Sequence, residues 1–472
     1  MELLLFPNQL FDIQLLKKEF KKYSITKIHF IEDELYYGNR NGSNAVSKLK
    51  LNKLRILFMY VIHQIYVENL RNSGVEVIVM YHKIEEGKFN YQNISSSDII
   101  IFDPCDTVLI SKIKKYNKNI KILSSPSFVL SNEKLNEYIQ NKKGKQLQHN
   151  HFYNYVKEHL GVLKNIKNLD IMNREPYKKD LEEPKNPFRH TFTSVKIWED
   201  GVKWLEKSVF KNNPGPTISF DELINSYLIY LPITTKDVRI WLKDFLVERL
   251  NNYGNYQDIV YLENPLLFHS GLSIYLNNGM ITPLEVVTKT LKIKTSMNNI
   301  EGFIRQIIGW REYCRLYYLY VSKDIFRKNI FKNNIKSLGN EWYKGNIGIE
   351  LIDKTIKHAM NYGYINHIQR LMVMSNFMTI NEYHPDMIYK WMYEFSLDSY
   401  EWVMIFNCYS MGSWSDKGFA MRKPYVSSSN YLLRMSNVNK NSWNIEWDNT
   451  FKKFIQKNKD IISHTSLANL IK

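Results

Sequence analysis

Glu301-Gly-Phe-Ile-Arg-Gln-Ile-Ile-Gly-Trp-Arg-Glu-Tyr313 decides how the rest of this chain is read. As a helix, it spaces Phe303, Ile304, Ile307 and Ile308 three and four residues apart, the mark of a core-facing stripe. Gln306, Trp310 and Tyr313 recur at the same spacing and so share a neighbouring face. An amide, an indole and a phenol on one buried face suit a planar heteroaromatic ligand. Taken by itself the segment equally describes an amphipathic core helix with one large aromatic, so its surroundings have to decide.

From residue 216 onward the surroundings are helical. Helix-period apolar residues run near 218–230, 235–252, 283–292, 300–320, 348–361, 365–378 and 385–397. The first third is different. Residues 2–6, 25–31, 75–80, 98–102 and 120–124 read as buried strands, with helical stretches between them, clearest over 47–69. Alternation of this kind predicts parallel βαβ units with right-handed crossovers. After the first strand the chain reads Phe6-Pro-Asn-Gln-Leu10, so the Gly-rich dinucleotide fingerprint is missing. Lys178-Lys-Asp-Leu-Glu-Glu-Pro-Lys-Asn-Pro187 is charged and proline-bearing, as a linker would be. The expected organisation is an α/β domain over 1–143, a linker over 144–215 and an all-helical domain over 216–472.

The 472 residues suffice for two cores, and 44% hydrophobic with 14% aromatic content excludes a disordered chain. A formal charge of +17 favours a polyanionic partner, although a Lys- and Asn-rich composition supplies lysines without any such partner. The three cysteines, Cys105, Cys314 and Cys408, lie far apart and cannot fill a four-ligand zinc or iron–sulfur site, so no metal is expected. Their sparse, odd count fits a reducing compartment. No apolar run reaches the ~20 residues that span a bilayer, and no basic region precedes the apolar N-terminus. The expected location is intracellular.

Beyond Tyr256 the motifs become specific. Tyr256-Gln-Asp258, Pro265-Leu-Leu-Phe-His-Ser270, Leu272-Ser273 and Thr282-Pro283 precede the opening segment. Asn366-His-Ile-Gln-Arg-Leu-Met-Val373, Lys423-Pro-Tyr425, Tyr431 and Met435-Ser436 follow it. In this order they resemble the photolyase/cryptochrome family, and within it the prokaryotic (6–4) photolyases, also called iron–sulfur bacterial cryptochromes and photolyases. The resemblance implies the photolyase fold: an α/β, Rossmann-like domain with a parallel sheet, then an all-helical FAD-binding domain. It also implies light-driven electron transfer from reduced FAD to a pyrimidine photoproduct in UV-damaged DNA, by a protein acting as a monomer. The lesion it points to is the (6–4) photoproduct. A cyclobutane-dimer photolyase and a cryptochrome-like photoreceptor without repair stay open.

Residue roles follow from the same resemblance. His269, Ser270 and Ser273 would donate to the FAD phosphates, with Arg311 as charge partner. Arg370 would lie over the flavin, with Asp398 or Glu401 balancing its charge, and Glu401 and Asn407 would approach the flavin's polar edge. Gln306 and Trp310 would hold the flipped lesion, His367 would serve as proton donor, and Tyr425 and Tyr431 would line the same cavity. Trp391 and Trp342 would relay electrons. In the N-terminal domain, Asn8, Gln9 and Glu34 would hold a 6,7-dimethyl-8-ribityllumazine antenna. Asp170-Ile-Met-Asn-Arg-Glu-Pro176 resembles the interdomain loop of relatives, so Arg174, Lys178 and Lys179 would meet DNA, in the cytoplasm, the nucleus or, for a virus-encoded protein, a viral replication site.

Two departures from the family pattern stand out. Met435-Ser-Asn-Val-Asn-Lys-Asn-Ser-Trp443 has no cysteine where relatives bind an iron–sulfur cluster, so no cluster is expected, and Trp443, Trp447 and Phe451 would fill its volume. Asn366 replaces a histidine and cannot shuttle a proton. The Asp-Gly-Gly stretch of relatives is altered as well, to Ser415-Asp-Lys-Gly418.

Overall fold

Short apolar runs become strands where both faces are covered, and the N-terminal third follows that rule. Strands β1 (Glu2–Leu5), β2 (Lys27–Ile31), β3 (Glu76–Met80), β4 (Ile99–Phe102) and β5 (Ile120–Leu123) pair in parallel, in the order β3-β2-β1-β4-β5. The register sets Leu3 opposite both Ile28 and Ile100. All five lie within a residue or two of the runs read from sequence. The computed structural model describes residues 1–471 apart from 44, 81–90, 95–97, 143–145, 189–194, 217, 220, 223–226 and 322.

Crossover helices start where a side chain satisfies the first amides. Asp12 accepts from Gln14 N at 2.8 Å, Asn52 from Leu54 N at 2.8 Å, and Asp106 from Val108 N and Leu109 N. The helix Lys53–Arg71 is buried along most of its length because it lies between the sheet and the helical half. Its buried Arg55 donates to the Tyr393 and Ser399 carbonyls, at 2.7 and 2.6 Å. Arg40, on the same side, pairs with Asp106 at 2.8 Å and with Glu401 at 2.5 Å. The two halves are therefore joined through buried, charge-assisted hydrogen bonds as well as apolar packing.

The segment read as a linker contains two helices, His149–Leu160 and Val195–Lys207. The second packs on Lys53–Arg71, with Trp204 stacked on Tyr60 at 4.7 Å and Gly201 lying flat against Leu57. The helix expected near 218–230 falls partly outside the described residues; Tyr227–Tyr230 is a 3-10 turn.

In the helical half, Thr235–Glu248, Pro283–Thr290, Glu350–Tyr362 and Pro385–Phe395 form as the periodicity predicts. The decisive helix does not stay regular. It runs as an α-helix over Met297–Ile304, as a π-helix over Arg305–Trp310 and as an α-helix again over Arg311–Tyr320. Gln369–Ser375 and Ile405–Gly412 are π-helical too. A further helix, Ser442–Lys457, packs Trp447 against Phe377 at 5.5 Å and against Trp443 at 6.1 Å, so the aromatics after Met435 are core. Among the described residues, no helix is long and apolar enough to cross a membrane.

Candidate functional site

A cavity of about 250 Å³ opens where the three π-helical segments face one another. Gln306, Ile307 and Trp310 reach it from the first segment, Arg370 and Leu371 from the second, and Asn407 and Met411 from the third. His269, Ser270 and Ser273 border it from the turn that opens the short helix Ser273–Asn277, and His367 and Asp398 complete its polar lining. Met392, Met404 and Cys408 make much of the remaining wall apolar. Such a space, apolar with a few aimed polar groups, suits a flat ligand with polar edges.

The polar centre is Arg370. Its two terminal nitrogens sit 3.0 and 3.1 Å from the two oxygens of Asp398, while Nε donates to the Ile365 carbonyl. Burial alone would raise the Asp398 carboxyl. The Arg370 charge, with hydrogen bonds from Arg370, Ser273 and Ser396, overcomes burial and holds it below the usual carboxylate range. Of the two carboxylates expected to balance Arg370, Asp398 does so. Glu401 does not reach the cavity: Arg40 and Ser43 of the N-terminal half take its carboxylate.

Asn407 donates through Nδ2 to the Val403 carbonyl at 2.8 Å, and its Oδ1 accepts from no donor among the described residues. Gln306 is held loosely, 3.5 Å from Gln257. Trp310 is held firmly. His149 stacks on it with ring centroids 3.7 Å apart and planes 17° from parallel, and Phe406 lies at 6.0 Å. Tyr313, expected on the same face, is fully buried behind Trp310 and against Phe406. The extra residue in the π turn explains this, since one added position rotates everything beyond it by about 100°.

Two expected phosphate contacts are already committed to protein. His269 lies with Nδ1 3.0 Å from the Leu266 carbonyl and Nε2 2.8 Å from the Gln257 carbonyl; its single N–H donates to one of them, and neither nitrogen faces the cavity freely. Burial, helped by the neighbouring His367, pushes its pKa down to about 3 and keeps the ring neutral. Arg311 donates to Asn277 Oδ1 and to the Ser127 and Leu276 carbonyls, between the Phe128 and Trp402 rings. It ties the two halves together, and burial brings its pKa to about 10.

His367 stands at the mouth with its side chain 43% exposed. Its Nε2 is 3.4 Å from Asp258, and its ring meets His269 edge-on at 5.4 Å. Asn366 beside it is a cap: its Oδ1 accepts from Gln369 N at 2.9 Å and its own N–H donates back to Gln369 Oε1. Tyr425 and Tyr431 do not border the cavity, contrary to expectation. They lie within the field of Asp258 and Arg174; burial first, then negative charge (Asp170 and Asp258 at Tyr425, Asp258 at Tyr431), raises both phenols against the lowering pull of Arg174.

Trp391 and Trp342 are fully buried, 6.2 Å apart, and the Trp391 indole N–H donates to the Trp342 carbonyl at 2.8 Å. Trp342 continues to the half-buried Tyr383 at 5.0 Å. Arg174, Lys178 and Lys179 are exposed, the first two beside Asp170 and Glu175. Asn8 and Gln9 follow β1 at the point where the strand order reverses, and they donate to the Pro104 and Phe102 carbonyls at the end of β4. Glu34 binds Asn39 and Lys112, while Gln9 Oε1 is buried without a partner. Among the described residues, no group of three His, Cys, Asp or Glu side chains could hold a metal ion.

His149 and Asn277 were missed in the sequence. His149 comes from the stretch read as linker, and no local pattern marks it. The lining residues Met404, Asn407, Cys408 and Met411 do carry a signal, the i, i+3, i+4, i+7 spacing of one helical face.

Residues 3–221 match the family described as deoxyribodipyrimidine photo-lyase-related protein. A (6-4) photolyase of Agrobacterium fabrum is 29% identical over 410 residues, covering 82% of this chain and 77% of that protein. In backbone the chain resembles a bacterial class III photolyase of Agrobacterium tumefaciens, with TM-score 0.58 at 15% identity over 98% of this chain and 86% of that one. It also resembles a cryptochrome of Synechocystis sp., with TM-score 0.61 at 14% identity over 98% and 88%. The likeness runs from the first strand to the C-terminal helices: the N-terminal half matches the photo-lyase-related family, and the whole chain has the fold of the photolyase and cryptochrome structures.

Proposed function

We propose that this protein repairs UV-damaged DNA in a light-driven reaction, with FAD held in the cavity, and that its substrate is the (6–4) photoproduct. The observation that carries the lesion assignment is His367 at the cavity mouth, solvent-accessible and next to Asp258, with Gln306 and Trp310 inside.

The lining residues fit the cofactor. Arg370, paired with Asp398, offers a flat cation to a conjugated ring system, and Asn407 presents a carbonyl oxygen with no donor among the described residues to a ring edge. Ser270 supplies a hydroxyl where a phosphate chain would run, beside Ser273, whose own hydroxyl donates to Asp398. Reduced FAD bound there would supply one electron to the lesion under blue light and take it back. The chain's own residues do the rest. Trp310, held in place by His149, borders the cavity with an indole that an extruded base can pack against, and Gln306 offers an amide to its edge. His367, exposed beside Asp258, can deliver a proton to the base whose oxygen must move.

This reading carries no iron–sulfur cluster, because three cysteines cannot supply four thiolates and Trp443 and Trp447 pack the region after Met435. Its test is blue-light illumination of the reduced protein with duplexes bearing one (6–4) photoproduct or one cyclobutane dimer. Restoration of the (6–4) duplex supports it. Restoration of the dimer alone overturns the lesion assignment, and flavin absorption with neither duplex restored leaves a photoreceptor.

A further inference from the structure

Ile171 is 85% exposed and Met172 beside it 55% exposed, an apolar pair on the outside of a strongly basic protein. The pair tips a 3-10 turn, Asp170–Met172, whose base is fastened on both sides. Asp170 accepts from Arg305 at 2.8 Å, and Leu169 N donates to Glu301 at 3.2 Å. Asn173 is fully buried, where Asn298 donates to it and the bare Cα of Gly302 leaves it room. Glu175 N and Tyr177 N then bond the Asn255 and Arg434 carbonyls. An apolar pair held out to water on so rigid a base is not a frayed loop.

The position of the turn says what meets it. Arg305 immediately precedes Gln306 of the cavity, and Arg174 lies within the field of Asp258 and Tyr425 on the rim. On its other side a groove of about 820 Å³ runs between helix His149–Leu160 and residues 161–168. Its lining includes Lys164, Lys167, Asn150 and Asn165. Arg174, Lys178 and Lys179 continue the basic surface past the tip. An apolar point flanked by cations complements a nucleic acid duplex, whose phosphates meet the cations while its stacked interior takes the point.

We infer that Ile171 and Met172 form a wedge that enters duplex DNA at the cavity mouth and fills the gap left when the damaged bases swing out. The inference rests on the DNA-repair reading and adds the element that opens the duplex. Aliphatic side chains perform this task elsewhere by unstacking a base step, and a lesion already weakens the step. The wedge contributes only where a complementary strand and its stack are present, so duplex and single strand separate it from ordinary phosphate contact.

The test uses full-length protein, purified with its flavin, in the dark. The probe is an oligonucleotide with one (6–4) photoproduct, single-stranded or paired with a strand carrying 2-aminopurine opposite the lesion. The Ile171→Ser/Met172→Ser variant is compared with wild type and with Ile445→Ser, a control at another exposed site (62% exposed). Loss of about tenfold or more in duplex affinity is expected, equivalent to about 1.4 kcal/mol. The 2-aminopurine signal should fall with it, while single-strand binding and light-driven repair of the single strand match wild type. Duplex binding within about twofold of wild type, or an equal loss on duplex and single strand, overturns the wedge. Wild-type protein that neither prefers the lesion duplex nor repairs it under blue light would instead overturn the repair reading.

Discussion

Asp398→Asn tests how the cavity keeps its cation. Asp398 is buried and meets Arg370, whose side chain is 19% exposed, through two bonds of 3.0 and 3.1 Å. Breaking such a pair on one side typically costs about 3–5 kcal/mol, because the surviving charge stays desolvated. Asparagine retains one acceptor and Arg370 keeps some water, so the lower end, about 3 kcal/mol, applies. At about 2.1 cal/mol/K per residue, unfolding all 472 residues carries about 1 kcal/mol/K of entropy, and the expected loss in Tm is about 3 °C. Differential scanning calorimetry at neutral pH, without added flavin, reads it. The loss depends on pH in a stated direction. The Asp398 carboxyl is depressed in the folded state, so its stabilisation is present above an unfolded pKa of about 4 and disappears as pH falls through the folded value. Wild type and variant should therefore converge in acid. The double variant Arg370→Met/Asp398→Leu removes both charges and should recover most of the stability. A Tm change under about 1 °C, or a double variant no better than the worse single, would refute the argument.

Acid should destabilise the fold through its buried histidines. Burial pushes both His149 and His269 down to about 3, so each stays neutral in the folded state but protonates once unfolded. The stability they allow is complete above an unfolded pKa of about 6.5 and falls with pH below it, by about 1.4 kcal/mol for each histidine at pH 5.5. Urea denaturation of wild type and His269→Asn across that range checks the slope, which the variant should flatten. His367→Ala should reduce (6–4) repair by about 10²–10⁴-fold with flavin retained, measured as product per photon absorbed. An unchanged yield would remove the proton-donor role. Gly254→Ala would put a Cβ 2.8 Å from the Asn298 backbone oxygen, and the clash should cost about 1–3 kcal/mol in the same denaturation assay.

How far the sequence revealed this structure depended on which periodicity each segment kept. The five strands were legible because parallel strands buried on both faces are continuous apolar runs, as in Ile99–Phe102, and their ends fall at polar or capping residues. Val195–Lys207 was legible but missed: Trp198, Val202 and Leu205 mark its buried face, and the charged residues around it drew attention instead. Glu401 could not have been read. Its partner Arg40 is 361 positions away in another domain, and only the assembled interface shows that this carboxylate serves the join rather than the cavity. Tyr425 and Tyr431 failed in another way, for a motif gives the order of residues along the chain but not which side of a rim each one faces.

The π-helical turns connect these successes and failures. A 3.6-residue reading found the right helices and placed Gln306 and Trp310 together, four apart, but it carried the stripe on to Tyr313, past the extra residue. Three such turns meet at one cavity, and Gly412 of the third lies so close to Ser375 of the second that a Cβ there would stand 2.9 Å from the serine hydroxyl. A π turn is a poorer helix than the α-helix it interrupts, so its recurrence at one place argues for a constraint that stability does not supply. What the turns achieve is visible in the first of them. Arg305 reaches Asp170 and Glu301 behind the helix, while Gln306, Ile307 and Trp310 all face the cavity in front. The widened turn lets one short segment anchor the Asp170–Met172 turn, with its apolar tip, and line the cavity at once. The anchor of that turn and one wall of the cavity are therefore built on the same six residues.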